Sequence, residues 1–86
     1  AEVFNIQADY VFNVLQQPET ALYLWQQAIA LKPGEPQYRI NRARVLIALG
    51  RNEGARRDIA ALRAMEPAGA NESAARALEA RMEHPR

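Results

Sequence analysis

The chain of 86 residues has no cysteine, one histidine, one tryptophan and a single lysine among its eleven basic residues. Without cysteine there is no disulfide, no thiolate nucleophile and no thiolate metal site, and oxidising and reducing compartments suit the chain equally. No apolar run reaches the ~18 residues of a membrane span, and no basic segment leads into an apolar stretch at the start as in a signal peptide. With four glycines and no cluster of them, a glycine-rich phosphate loop is excluded. The lone histidine, His84, sits near the C-terminus with neither a second metal ligand nor an orienting group beside it. The carboxylates are scattered, whereas acid–base chemistry needs them held together with shifted pKa values. The expectation is a protein that is not an enzyme and has no cofactor and no metal site.

A chain of this length makes one small domain over residues 1–86, too short for a separate catalytic lobe. It begins at Ala1 rather than methionine, as a processed protein or, in our expectation, a piece of a longer one would. The preference for arginine over lysine in an alanine-rich chain points to a GC-rich bacterial genome; the compartment stays open. The net charge of +1 hides an asymmetry. Residues 1–35 carry Glu2, Asp9, Glu19 and Glu35 against Lys32 alone, a net −3, whereas residues 36–67 carry seven arginines against Glu53, Asp58 and Glu66, a net +4.

What the chain does have is a repeat. Leu15 recurs as Leu49, Glu19 as Glu53, Ala21 as Ala55 and Pro33 as Pro67, all at one constant offset, so one supersecondary unit has been copied in tandem. Val3 to Leu15 is of helix length and apolar nearly all round, so it expects cover on several sides. Pro18 suits the first turn of a second helix, which runs to Leu31 with Ala21, Leu22, Trp25, Ala28 and Ile29 on one face. Gly34, free to take the left-handed conformation, and Pro36 then stop one helix and start the next. The third helix, to Leu49, is expected to bury Tyr38, Ala43, Leu46 and Leu49 before Gly50 ends it. Asn52 is placed to cap a fourth helix that buries Ala55, Ile59 and Leu62. Pro67-Ala68-Gly69 breaks the chain before a last helix over about residues 71–83. That helix has only the thin seam Ala75, Leu78 and Met82, with Glu72, Glu79 and Glu83 where the repeat has apolar residues and a Glu72–Arg76 pair on its outer side. It reads as a terminal cap with a charged back facing water, while the N-terminal end has none.

The repeat is a helix–turn–helix unit with a period of about 34 residues, and its alanine, large residue and closing proline fall at Ala21, Trp25 and Pro33 and again at Ala55, Ile59 and Pro67. In this it resembles the tetratricopeptide repeat family. The likeness covers residues 2–67, with repeat one over about 2–35, repeat two over about 36–69, and the capping helix after them. The first half of the motif departs from the family, with Asn5 and Arg39 for its tryptophan, Ala8 and Arg42 for its leucine, and Asp9 for the glycine where helices touch. Asp9 implies a wider helix approach, a partner for its charge, or a one-residue shift that uses Ala8 as the small residue. The resemblance implies an all-α fold, a right-handed superhelix of antiparallel helix pairs with about five helices.

It also implies a role in protein–protein interaction, through a concave groove lined by the first helix of each pair. In this chain that groove maps to Val3, Ile6, Tyr10 and Asn13, then Gln37, Ile40, Arg44 and Ile47, spaced by three or four. Such a surface suits a peptide or protein partner with apolar anchors and an acidic group for Arg44. The alternative is a structural or oligomerisation segment whose groove is filled by its own parent chain or by a second copy, a homo-oligomer. The family's carboxylate clamp of lysine, asparagine and arginine is missing, since Ile6 and Tyr10 stand there with Arg44. Nucleic acid is not expected as a partner. Arg39, Arg42, Arg44, Arg51, Arg56, Arg57 and Arg63 are spread over two helices, with acids among them and no aromatic platform for bases, and read as a solvated face with local salt bridges.

Overall fold

The computed structural model describes residues 2–65 and 68–83, and its architecture is all-α. Five α-helices follow one another: α1 Glu2–Asn13, α2 Pro18–Leu31, α3 Pro36–Ala48, α4 Asn52–Ala64 and α5 Glu72–Glu83. A 3-10 turn over Ala68–Asn71 precedes α5, and no strand occurs among the described residues. The two helix pairs start in step, α3 one full period after α1 and α4 one full period after α2, so the periodicity of the sequence is also that of the elements. Pro67, expected to end the second unit, lies outside the described residues, as does His84.

The boundaries follow from local chemistry, with several corrections. Pro18 and Pro36 occupy first turns, where a missing N–H costs no intrahelical bond. The Glu35 carboxylate caps α3 by accepting from the Gln37 N–H. α1 stops two residues short of Leu15: Gln16 turns left-handed at φ 55°, and the Gln17 N–H donates back to the Val11 carbonyl at 3.1 Å. Gly34 does not adopt a positive φ; Gly50 does, at 78°, where α3 turns back into α4. Asn52 is the first residue of α4 rather than its cap, and Arg51 before it makes no side-chain cap.

The helices pack most closely within the pairs α1/α2 and α3/α4, less closely between α2 and α3, with α5 lying against both α3 and α4. The molecule is a slab, 33 × 30 × 17 Å. Its interior has two parts. The first gathers Ala8, Ala21, Trp25, Ala28, Ile29, Tyr38 and Val45, with Phe4, Val11 and Phe12 half-buried around them. Trp25 is the largest side chain there, and removing its ring from water is worth about 4 kcal/mol. The second gathers Ala43, Ile47, Ala55, Ile59 and Leu62 with Ala75 and Leu78 of α5. The alanines at 8, 21, 28, 43, 55 and 75 are fully enclosed, which lets the helices approach closely.

Asp9 is resolved by the one-residue shift. Ala8 is buried at the contact while Asp9 stays exposed, its Oδ1 accepting from Asn13 Nδ2 at 2.9 Å. In the second pair Ala43 itself is buried, as the unshifted spacing requires. Leu46 is only half-buried and Leu49 lies at the surface, because α3 ends at Ala48 and the turn carries Leu49 away from the interior.

Candidate functional site

The eight residues mapped to the groove do not form one open surface. Val3, Ile6 and Tyr10 are exposed by 64%, 60% and 55%, and with Val14 in the turn just after α1 they form an uncovered apolar stripe. Asn13, Gln37 and Arg44 are exposed beside it. Ile40 is half-buried and Ile47 is buried, because α5 packs over them with Ala75 and Leu78. Among the eight, the open apolar positions therefore belong to α1, while α3 contributes polar groups.

Those polar groups are held by a chain of amides. Asn5 Oδ1 accepts from Trp25 Nε1 at 2.9 Å and from Asn41 Nδ2 at 3.0 Å, while Asn41 Oδ1 accepts from Gln37 Nε2 at 3.0 Å. Asn5 thus ties α1 to both α2 and α3. One turn earlier the Tyr38 hydroxyl donates to Glu2 at 3.3 Å, and burial with the nearby Glu2 charge pushes the phenol pKa up.

Next to the stripe, a cleft of about 190 Å³ opens between α1, α3 and α5, walled by Asp9, Asn13, Asn41, Arg44, Arg81 and the edge of Trp25. Arg44 and Arg81 are exposed and have no carboxylate partner among the described residues. Arg81 was missed from sequence: a charged residue in the last turn of a capping helix looks like a solvated end, and only the folding of α5 against α3 brings it to Arg44. No family model, curated protein or solved structure matches this chain. The site must therefore be understood from its own chemistry.

Most of the other arginines are engaged within the fold. Arg42 grips Asp58 with both ends of its guanidinium, Nε to Oδ2 at 2.9 Å and Nη2 to Oδ1 at 2.5 Å, and Asp58 is only 1% exposed. Sequence reasoning assigned Arg42 to a solvated face and overlooked Asp58. The available signal was that both stand one repeat after apolar positions, Ala8 and Leu24. Arg51 donates to Glu19 across the two pairs, holding the Glu19 carboxyl below its ordinary pKa, and Arg39 donates to the Pro33 carbonyl at 2.6 Å.

α5 is also less of a charged back than its sequence implies. Arg63 of α4 reaches both Glu79 (2.6 and 2.9 Å) and Glu72 (3.1 and 3.2 Å), and Arg76 adds a second bond to Glu72 at 2.9 Å. Two of the three glutamates that substitute for apolar residues thus face α4 and dock α5 electrostatically. Hydrogen bonds from Arg63, and for Glu72 also from Arg76, hold both carboxyls below the ordinary carboxylate pKa. The same bonds raise the Arg63 pKa further above its already high value. Among the described residues no group of three or more His, Asp or Glu side chains could hold a metal ion, and no helix is long and apolar enough to cross a membrane.

Proposed function

We propose that the chain is a tetratricopeptide-type protein–protein interaction module, non-enzymatic and belonging to a larger bacterial protein or assembly. It would present the outer face of α1, with the polar groups of α3, to a peptide or protein partner. The observation that carries this reading is the uncovered stripe Val3, Ile6, Tyr10 and Val14, opposite the buried face of the same helix and beside a cleft lined by arginine and amide groups. Apolar anchors next to oriented polar groups make a surface suited to short-segment recognition. The amide chain through Asn5 and Asn41 fixes the surface beforehand, so little ordering entropy falls on the module when a partner docks. The arginines are mostly committed to internal pairs, which supports a protein partner over nucleic acid.

One observation favours a second role, as a segment packed against its own parent chain or a second copy. Tyr38 and Val45 are buried where α3 meets the first pair, yet Phe4 and Val11, their counterparts one repeat earlier, are only half-buried. A preceding helix pair would cover them as the first pair covers Tyr38 and Val45. The two roles separate on Tyr10→Ala and Ile6→Asp, both on exposed positions where helicity is expected to persist. Loss of binding to peptides selected from a display library supports the interaction module. Loss of self-association in the same variants, with no peptide binding in the wild type, supports the second role.

A further inference from the structure

Resting on the peptide-binding role above, we infer that Arg44 and Arg81 form an anion subsite that takes one carboxylate side chain, Asp or Glu, from within the bound peptide, next to an apolar residue seated on Tyr10. The two arginines come from different helices, α3 and the closing α5, and wall the same cleft. Neither is used by the fold: Arg42, Arg51, Arg56, Arg63 and Arg76 are each paired with a carboxylate and Arg39 with a backbone carbonyl, whereas these two have no such partner among the described residues, and Arg57, which also has none, lines a different cleft. At about 190 Å³ the cleft is smaller than the ~300–1,000 Å³ of small-molecule sites, a size suited to one side chain.

The charge balance selects the ligand. Asp9 lines the same cleft, turned toward Asn13, so two guanidinium groups and one carboxylate leave a surplus of a single positive charge. A monoanionic carboxylate neutralises that surplus, while a phosphate of charge near −2 overshoots it and meets Asp9. Guanidinium forks match the two oxygens of a carboxylate, and Asn41 on the rim, which gives only one of its two amide protons to Asn5, can add a donor. Tyr10, exposed on α1 and next in sequence to the cleft residue Asp9, offers the apolar contact for the adjacent peptide side chain.

Two display libraries of ten-residue peptides, one with Glu fixed at the centre and one with Gln, would be panned on the intact chain. The best Glu peptide and its Gln and phosphoserine counterparts would then be titrated by fluorescence anisotropy. Replacing Glu by Gln is expected to weaken binding about tenfold, in keeping with charge-assisted hydrogen bonds. Arg44→Gln and Arg81→Gln should each weaken the Glu peptide by a similar factor and leave the Gln peptide within about twofold. Asp9→Asn should tighten the Glu peptide, a gain that misfolding cannot imitate. Equal binding of the Glu and Gln peptides, with Tyr10→Ala still weakening both, overturns the subsite and leaves the peptide-binding role standing. Tighter binding of the phosphoserine peptide overturns the choice of a carboxylate. Failure to recover any peptide from either library overturns both the subsite and the role.

Discussion

Arg42 and Asp58 stand one period after Ala8 and Leu24 in the sequence, so the second helix pair carries an ion pair where the first has two apolar residues. Removing Arg42 alone leaves a carboxylate that is 1% exposed without its partner. Breaking a buried pair this way costs roughly 3–5 kcal/mol, and the lower end applies because the Arg42 side chain is itself 26% exposed and water can follow its removal. Asp58→Leu should cost less, about 1 kcal/mol, since the guanidinium can swing outward and keep its hydration. The double variant Arg42→Ala, Asp58→Leu reproduces the first pair and should unfold within about 1 kcal/mol of the wild type, a coupling near 3 kcal/mol. A domain of this size has a total stability of about 4–13 kcal/mol, so Arg42→Ala alone removes much of it. In urea, with a slope of roughly 1 kcal/mol/M, its midpoint should fall by about 3 M while the double variant recovers most of the loss. A double variant as unstable as the sum of the two single ones would refute the equivalence of the two pairs.

Three further outcomes are expected. Gly54→Ala should stabilise by about 0.5 kcal/mol: the helix gains nearly 1 kcal/mol, and the new Cβ, 3.2 Å from Leu46 Cδ1, only nudges a half-buried side chain. A drop in the urea midpoint would mean that Leu46 cannot yield. Trp25→Phe should cost about 2 kcal/mol, one for the bond to Asn5 and the rest for lost ring volume, and Asn5→Ala should cost little more in that background because the two act together; additive losses would show they do not. Glu72 and Glu79 have folded pKa values lowered from 4.5, so their stabilisation is full above that value and disappears as pH falls through the lowered ones. Amide protection in α5 should therefore fall before that of α2 below about pH 4.5, and Glu79→Gln should loosen α5 at neutral pH; equal protection of both helices at every pH would argue against electrostatic docking.

Where each element starts could be read from the chain because the signals are local. Pro18, Pro36 and Gly50 act on their own backbone, and the enclosed Ala21 recurs at the repeat spacing as the enclosed Ala55. What escaped was set by contacts across helices. Arg42 and Asp58 each look solvated until α3 lies on α4, and the glutamates of α5 look like an outer face until Arg63 reaches them. The candidate groove failed at Ile40 and Ile47 for the same reason: the seam Ala75, Leu78 and Met82 showed that α5 would dock, but not that it would dock over α3. The α1 half, Val3, Ile6 and Tyr10, is exposed as the spacing placed it, since nothing in the described residues packs on that side.

An interaction surface on α1 has to be free in solution. Sedimentation equilibrium over a hundredfold range of protein concentration decides this. A single species of 9.7 kDa throughout is the outcome expected if Val3, Ile6, Tyr10 and Val14 await a partner. A dimer or larger species that Tyr10→Asp returns to monomer would show that the stripe is already consumed between copies, and the proposed role would have to be abandoned.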